Sequence, residues 1–291
     1  MGQIIAKEHL KEIDEDWSEI IGPSTGLFDL KLNEVWRYRD LLIMFVRRDF
    51  VATYKQTILG PLWFFIQPLL TTVTFVIVFG NIAKIPTDGV PQVLFYLSGL
   101  TLWNYFADCL NKTATVFRDN AGIFGKVYFP RLIIPLSIIV SNLVRFAIQF
   151  VLFGAIWAWF LYKGNIQPNV FIFLIPLLVV LMAIMSLGLG LIITALTTKY
   201  RDLVFLLTFG VQLLMYATPI IYPMSALPTK YASIIKANPL SAIVETFRYG
   251  FTGSGSFRWL YLLYSSIFSI IVLAMGIIVF NKVEKSFMDT V

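Results

Sequence analysis

Histidine and cysteine are almost absent from this sequence. Its 291 residues include one histidine, His9, and one cysteine, Cys109. A single cysteine excludes an intramolecular disulfide. A lone histidine in a polar N-terminal segment excludes most histidine-based metal sites and the Ser-His and Cys-His pairs of nucleophilic catalysis. We therefore expect neither a metal site nor a catalytic residue in this chain.

Charged residues are also scarce. They make up 14% of the chain, whereas a soluble domain carries about 25%. Hydrophobic residues make up 58%, and the mean hydropathy is +0.77. This excess is too large for the core of a water-soluble protein of this size, so the composition predicts an integral membrane protein. In such a chain the net charge of +6 indicates topology, and we expect no nucleic-acid partner.

Six segments are apolar over the roughly 20 residues that a membrane-spanning helix needs. They are Ile58–Gly80, Val93–Phe117, Leu132–Tyr162, Val170–Thr198, Leu203–Tyr222 and Trp259–Phe280. The second is the weakest, since it carries Asp108 and Lys112. Apolar residues do not alternate with period two, which argues against β-strands. The predicted fold class is an all-α membrane protein with six transmembrane helices.

The distribution of lysine and arginine predicts the orientation of these spans. Of the 23 lysine and arginine residues, 15 lie in the N-terminal segment and the other segments on its side of the membrane, and 6 lie in the opposite loops. Cytoplasmic loops carry the excess of positive charge in membrane proteins. Both termini are therefore expected in the cytoplasm.

The segment from Pro223 to Phe257, between the fifth and sixth spans, has an unusual composition. Pro228 and Pro239 break it too often for a spanning helix, yet it is too apolar for a free loop. A re-entrant helical hairpin on the outer side fits both properties, because broken helices are tolerated where protein or water satisfies the backbone. An outer surface loop with one short helix is the alternative.

The stretch before the first span is typical of a helix at the membrane surface. From Glu34 to Gln56 no residue breaks a helix, and its basic and apolar residues lie largely on different faces. Such a helix can lie on the inner surface, its basic residues reaching the phosphate headgroups of membrane lipids. Gly60 and Pro61 then permit a sharp turn into the first span. A basic flank that only fixes orientation is the alternative.

These features divide the chain into three parts. Residues 1–33 form a cytoplasmic N-terminal extension, residues 34–57 the amphipathic interfacial helix, and residues 58–291 the six-span domain.

Several motifs resemble the type 2 ABC transporter permeases that export bacterial polysaccharides, with the O-antigen branch the most similar. The N-terminal region reads PSTGLFDLKLNEVWRYRDLLIMFVRRDFVATYKQTILGPLWFFIQPLL, and the first cytoplasmic loop reads FRDNAGIFGKVYFPRLIIPLS. The later motifs are TKYRDL, YATPIIYP, NPLSAIVETFRYG and the C-terminal KVEKSFMDTV. Each is weak alone, but six in the right order support one another from Ile21 onward. Capsule and teichoic acid exporters belong to the same family.

The resemblance implies a homodimer in a bacterial inner or plasma membrane, working with two copies of a separate ATP-hydrolysing subunit. The chain itself lacks the phosphate-binding motif G-x-x-x-x-G-K-[ST]. Its only Gly-Lys pair is Gly125-Lys126, with Asn120 in place of the first glycine and Val127 in place of Ser or Thr. ATP and magnesium are therefore expected on the partner subunit, and this chain is expected to carry no cofactor.

The resemblance also assigns roles in coupling to ATP hydrolysis. The loop from Phe117 to Arg131 resembles the family's coupling helix, which docks on the ATPase. Its candidate residues are Arg118, Asp119, Gly125, Lys126 and Arg131. The interfacial helix resembles the family's gate helix, with candidate residues Arg47, Arg48, Asp49, Tyr54 and Lys55. A positive-inside loop without a docking role is the alternative for the first of these.

The family places a sugar channel at the dimer centre, lined partly by the first and fifth spans. On that basis Trp63, Phe64, Tyr216 and Tyr222 are candidates, because sugar C–H faces sit well on aromatic rings. For any one of them, packing or lipid contact is an equal alternative.

Four charged residues in or near the spans need partners, because unpaired intramembrane charge is costly. Asp108 and Arg145 lie in adjacent spans and can form a helix–helix tie or a polar contact near the transport path. Glu245 and Arg248 are three residues apart on a predicted helix and can pair across one turn. By resemblance they belong to the outer gate.

The favoured function is export of a lipid-linked, O-antigen-like polysaccharide. A permease of the same architecture for a drug or lipid is the main alternative. A membrane-embedded glycosyl- or acyltransferase would need clustered carboxylates or a histidine at the membrane face, and the sequence has neither. A proton-driven transporter would need carboxylates within the spans, where only Asp108 is found.

Overall fold

The chain folds almost entirely into α-helices. The computed structural model describes residues 32–55, 57–124, 129–200 and 202–288, and this part of the chain contains no β-strand. Its helices are α1 (Leu32–Arg37), α2 (Arg39–Tyr54), α3 (Trp63–Phe75), α4 (Gln92–Thr113), α5 (Val116–Asp119), α6 (Ala121–Phe124), α7 (Ile133–Tyr162), α8 (Ile175–Lys199), α9 (Leu203–Tyr216), α10 (Thr229–Ala237), α11 (Pro239–Thr252) and α12 (Trp259–Met288). The all-helical fold class is confirmed.

Four helical stretches among the described residues are long and apolar enough to cross a membrane. They are Gly60–Ile82, Ile133–Tyr162, Val170–Lys199 and Trp259–Lys282. They coincide with the predicted first, third, fourth and sixth spans. The predicted second span corresponds to α4, which is long but more polar, and the fifth to α9, which is apolar but has 14 residues. Several apolar helices of this kind indicate a multi-pass membrane protein.

Helix α4 lies at the centre of the core, which explains its weak hydropathy. Every residue from Leu94 to Trp103 is buried, and the helix packs against α3, α7 and α8. A helix surrounded by protein does not need an apolar face toward lipid, so it can carry more polar side chains than its neighbours.

Two glycines bring the backbones of α8 and α12 into direct contact. A Cβ atom added to Gly188 would lie 2.7 Å from the Leu273 Cα, and one added to Gly276 would lie 2.5 Å from the Gly188 carbonyl oxygen. Small residues let membrane helices approach backbone to backbone, where dispersion and hydrogen bonds replace the hydrophobic effect. The two helices therefore pack as one unit.

The chain enters the first span through the predicted turn at Gly60-Pro61. Gly60 has a φ of +49°, in the left-handed region, and Pro61 occupies the start of the short 3₁₀ turn Gly60–Leu62. The helix before the turn differs from the prediction of one unbroken element. It is divided at Tyr38, although the Tyr38 and Leu42 amides still bond to carbonyls four residues back, so the interruption is local.

The segment after α9 contains two helices, α10 and α11, as a helical hairpin requires. Asn238 links them, because its side-chain oxygen accepts a hydrogen bond from the Leu240 amide. Its side-chain nitrogen donates to the Ala217 carbonyl at 3.0 Å, which ties this segment to the end of α9. The segment thus contains two short helices, where the alternative expected one.

Candidate functional site

Two groups of candidate residues lie at opposite ends of the helical bundle. Helix α7 begins at Ile133, beside the predicted coupling loop, and its Trp157 indole donates a hydrogen bond to the Phe251 carbonyl of α11 at 2.8 Å. The 24 residues between these points span roughly 36 Å of helix. That length is comparable to the thickness of a bilayer hydrocarbon core, about 30 Å. The predicted coupling loop and the predicted outer gate therefore lie near opposite ends of α7.

At the coupling-loop end, five phenylalanines form what we call the inner aromatic cluster. The Phe117 ring stacks on Phe280 of α12 at 4.8 Å between centroids, and it also contacts Phe124 at 5.5 Å. Phe129 lies 5.8 Å from Phe124 and 5.9 Å from Phe45 of α2. The cluster thus packs the candidate gate helix, the candidate coupling loop and the last helix against one another.

The cluster changes the expected docking surface of the loop. In the apolar middle of this loop, Phe124 is 5% exposed and belongs to the protein's own core, so it is not available to a partner. Ile123 is half-buried against the same core, and Tyr128 lies outside the described residues. The inward direction of Phe124 follows from its contacts with Phe117 and Phe129, which the sequence pattern alone does not show.

The charged coupling candidates divide into surface and buried residues. Arg118 and Asp119 are exposed and paired, with the Arg118 Nε 2.9 Å from the Asp119 Oδ1. The Thr115 hydroxyl donates to the other Asp119 oxygen at 2.6 Å, which holds the pair in place. Arg131 is 5% exposed, with its guanidinium over the Phe124 ring. Gly125 and Lys126 lie outside the described residues.

The gate-helix candidates lie on two sides of α2. Arg47, Arg48 and Lys55 are exposed, whereas Asp49 is half-buried. The Arg48 guanidinium lies over the Phe45 ring at 4.7 Å and pairs with Asp49 at 2.8 Å. The side chain of Tyr54 lies outside the described part of the chain.

The inner half of the bundle also contains a group of two acids and two bases, which we call the four-charge cluster. Its members are Asp49 of α2, Asp108 and Lys112 of α4, and Arg145 of α7. The Lys112 ammonium interacts electrostatically with the other three and donates a hydrogen bond to the Asn142 side-chain oxygen at 3.2 Å. Asp108 interacts with both Lys112 and Arg145. These electrostatic interactions involve residues of α2, α4 and α7, and Asp49 is also paired with Arg48 at 2.8 Å.

Sequence reasoning identified only half of this cluster. Asp108 and Arg145 were predicted as possible partners, and the Asp108 carboxyl experiences the charge of Lys112 more strongly than that of Arg145. Lys112 could have been added, because it follows Asp108 by four residues on one helix face. Asp49 could not, since nothing in the local pattern indicates that α2 turns this carboxylate toward α4.

The aromatic channel candidates differ in exposure. Trp63 and Tyr216 are 45% and 46% exposed and face the outside of the single chain. Phe64 is buried between Phe50, at 6.1 Å, and the Arg145 guanidinium, at 5.7 Å. Tyr222 donates its hydroxyl proton to the Tyr216 carbonyl at 2.8 Å. In the single chain, the side chains of Trp63 and Tyr216 are thus accessible to another molecule. Phe64 packs instead against Arg145 of the four-charge cluster.

At the outer end, Glu245 and Arg248 form a buried ion pair, not an exposed one. Their side chains are 7% and 3% exposed and lie 2.7 Å apart. Arg248 also donates to the Pro219 carbonyl at 2.8 Å, and its guanidinium lies 3.8 Å from the Phe95 ring centre. Burial raises the pKa of the Glu245 carboxyl and lowers the pKa of the Arg248 guanidinium, while the charge of each partner opposes the shift of the other.

Known proteins match this chain over most of its length. The sequence profile of the ABC-2 type transporter family matches residues 40–252. The chain is 29% identical to the O-antigen export system permease protein RfbA of Klebsiella pneumoniae, over 86% of this chain and 94% of that protein. It is 28% identical to the O-antigen export system permease protein RfbA of Myxococcus xanthus, over 75% of this chain and 82% of that protein.

A more distant relative is named for the transport of a different polysaccharide. The chain is 23% identical to the polysialic acid transport protein KpsM of Escherichia coli, over 84% of this chain and 93% of that protein. The resemblance seen in the sequence motifs is therefore confirmed, and with a family profile that covers more than half of its residues, the chain belongs to the ABC-2 type transporter family.

Proposed function

We propose that this chain is the membrane-spanning subunit of an ATP-driven exporter that moves a lipid-linked, O-antigen-like polysaccharide from the cytoplasm across the inner membrane. The observation that carries the proposal is the near full-length similarity to two O-antigen export permeases. The polysialic acid transport protein, a third relative, also has a polysaccharide in its name. A buried path for a large polar polymer needs a membrane domain of several helices, which this fold provides.

The proposed topology has six spans with both termini in the cytoplasm. In this arrangement α4 is the second span, since its 22 residues extend roughly 33 Å. Helix α9 and the residues after it form the fifth, and α10 and α11 form a re-entrant hairpin on the outer side. The opposite positions of the coupling loop and α11 along α7 support this assignment.

The proposed assembly is a homodimer with two copies of an ATP-binding subunit. Support comes from the two helices that the resemblance places at the dimer centre. In the span that contains α3, 17% of the most apolar stretch is buried, against 28–33% in the other three spans. Helix α9 exposes an apolar stripe of Leu206, Phe209, Leu213 and Tyr216. A second copy would cover both faces and place Trp63 and Tyr216 along a shared path.

ATP hydrolysis is proposed to act through the inner aromatic cluster and the four-charge cluster. The partner ATPase would bind ATP and magnesium and contact the loop near Arg118 and Asp119. Movement of this loop is transmitted to α2, because Phe117, Phe124, Phe129 and Phe45 form one packed series. The helix α2 then pulls on α3 through the short connection that ends at Gly60, while its basic residues stay at the lipid headgroups.

The first experiment is deletion of the gene followed by glycan analysis of the cell surface and the cell interior. Loss of surface polysaccharide with accumulation of finished lipid-linked polymer inside is the expected result. Complementation with the intact chain should restore the surface polymer. Loss without accumulation would point to a role in synthesis instead, and unchanged glycan in both places would indicate a drug or lipid cargo.

A second experiment tests the coupling loop. Replacement of Gly125 and Lys126 by bulky neutral residues should uncouple ATP turnover from export while leaving the protein folded. Gly122→Ala is the matched control, because a Cβ atom at this exposed position of the same loop contacts nothing within 4 Å. Export that survives the bulky replacements would contradict the coupling role.

A further inference from the structure

A polar cavity lies beside the outer ion pair, between α10, α11 and the start of α12. Its wall includes Lys236, Ser241, Glu245, Arg258 and Tyr261. The cavity volume is about 30 Å³, and the cavity opens into solvent at its mouth. Neither the coupling role nor the proposed transport path uses this cavity.

The charge of the cavity is positive. Lys236 and Arg258 are both exposed, and within the described part of the chain neither forms an ion pair. Glu245 is the acid in the wall, but one of its oxygens is paired with Arg248 at 2.7 Å and its carboxylate also accepts a hydrogen bond from the Ser256 backbone. Two cations are therefore left at the mouth, opposite a carboxylate whose charge is already balanced.

A buried hydroxyl without a partner lies in the same wall. Ser241 is 3% exposed, and its Oγ has no hydrogen-bond partner among the described residues. A buried polar group without a partner costs about 1–3 kcal/mol, so a hydroxyl in this position is expected to serve a ligand or water. Ser241 and Ala242 also belong to the first turn of α11, a helix of 14 residues. The Leu240 and Ser241 amides of this turn are already bonded to Asn238, so the Ser241 hydroxyl is the polar group of this turn that has no partner.

We propose that this cavity binds a phosphate group at the outer side of the membrane. Lys236 and Arg258 neutralise its charge, and the Ser241 hydroxyl donates to one oxygen. A neutral sugar would leave both cations without a counterion, so the charge favours an anion. The phosphate can come from a membrane phospholipid headgroup or from a water-soluble phosphate ester, and the chemistry of recognition is the same.

The test measures binding to the purified full-length chain in nanodiscs, together with its ATPase partner. In one arm the nanodiscs contain only phosphatidylcholine, and inorganic phosphate and pyrophosphate are titrated by calorimetry. In the other arm phosphatidylglycerol is added to the nanodisc lipid, and retained lipid is measured by native mass spectrometry. Binding in the first arm indicates a soluble phosphate, and selective retention in the second indicates a headgroup; either result supports the site.

Two variants and one control make the test specific. The double variant Lys236→Gln/Arg258→Gln should bind roughly tenfold or more weakly, because two charge-assisted hydrogen bonds are lost. Ser241→Ala should also weaken binding, and it removes no charge. The control Lys163→Gln/Lys230→Gln removes two exposed lysines that do not line the cavity, and it should bind like the unmodified chain.

Several outcomes would overturn the site. The first is an absence of saturable binding in both arms. The second is equal binding by the unmodified chain and both cavity variants. The third is a loss of binding in the control as large as the loss in the cavity variants, which would show that binding depends only on diffuse surface charge. Melting temperatures of all variants identify any that fail to fold, and Ser241→Ala remains informative in that case. This experiment measures phosphate binding and not export. A negative result would therefore contradict the phosphate site without contradicting the proposed export of polysaccharide.

Discussion

The side chain of Arg248 joins α11 to α4 and to the segment that follows α9. It combines an ion pair with Glu245, a hydrogen bond to the Pro219 carbonyl and a cation–π contact with Phe95. Arginine suits this position because its planar guanidinium can donate in two directions while its face lies on an aromatic ring. One residue of α11 thus ties together three parts of the predicted outer gate region.

Removal of one member of this pair should be more damaging than removal of both. Arg248→Met leaves the Glu245 carboxylate buried and unpaired, and we expect it to lower the free energy of unfolding by about 3–5 kcal/mol. Glu245→Gln/Arg248→Met removes both charges and should cost less than Arg248→Met alone. Unfolding in detergent, analysed as a double-mutant cycle, measures the coupling. Additive losses would show that the two residues do not act as a pair.

The glycines between α8 and α12 provide a second test at a single position. Gly188→Ala should lower the free energy of unfolding by about 1–3 kcal/mol, because the added methyl group meets backbone that cannot move aside easily. Gly154→Ala in α7 is the matched control, since its Cβ contacts nothing within 4 Å. Alanine has the higher helix propensity, so the control should be neutral or slightly stabilising. Similar melting temperatures for the two variants would contradict the close contact.

At the level of elements, α2 has both a surface role and a core role. Its exposed arginines fit a helix at the membrane surface, whereas Phe45 and Asp49 connect it to the inner aromatic cluster and the four-charge cluster. A helix held only by lipid could move without affecting the bundle. The contacts of α2 make its position depend on the coupling loop and on α4.

This dependence predicts the effect of Asp49→Asn. Loss of the carboxylate should weaken the connection from α2 to Lys112, so export should fall while ATP hydrolysis by the partner continues. The expected change is about 0.5–2 kcal/mol in coupling, or roughly two- to thirtyfold in export per ATP hydrolysed. Asp40→Asn is the control on the same helix, because the Asp40 side chain is 87% exposed. Export per ATP hydrolysed is measured in proteoliposomes, and an equal decrease in the two variants would contradict the prediction.

The sequence predicts some elements much better than others, for physical reasons. The spans that contain α3, α7, α8 and α12 are long, apolar and largely unburied within the single chain, so their hydropathy alone indicates them. Helix α4 is surrounded by protein and α9 is short, and both give weaker signals. The Gly60-Pro61 turn follows from backbone chemistry that is local to two residues. The inner aromatic cluster brings together residues from Phe45 to Phe280, and no local pattern can show such contacts.

At the level of the whole molecule, the exposed stripe of α9 predicts where two copies meet. A single cysteine in place of Leu206 should form a disulfide-linked dimer in native membranes, because a two-fold axis brings equal positions together. The native Cys109 is buried and should not contribute. Ile270→Cys on α12 is the control, since Ile270 is 59% exposed and Leu206 is 64% exposed. Cross-linking of the control as efficient as that of the α9 variant would place the dimer contact elsewhere.

The inner aromatic cluster also sets an order for biogenesis. Phe117 is fully buried against Phe280, although the ribosome makes Phe280 more than 160 residues later. Contacts between residues far apart in sequence form late, because the chain between them must first be made and closed. The coupling loop can therefore reach its final shape only after the last helix has been inserted. An unfinished subunit would offer the ATPase an incomplete docking surface, so partner recruitment itself would act as a check on completed synthesis.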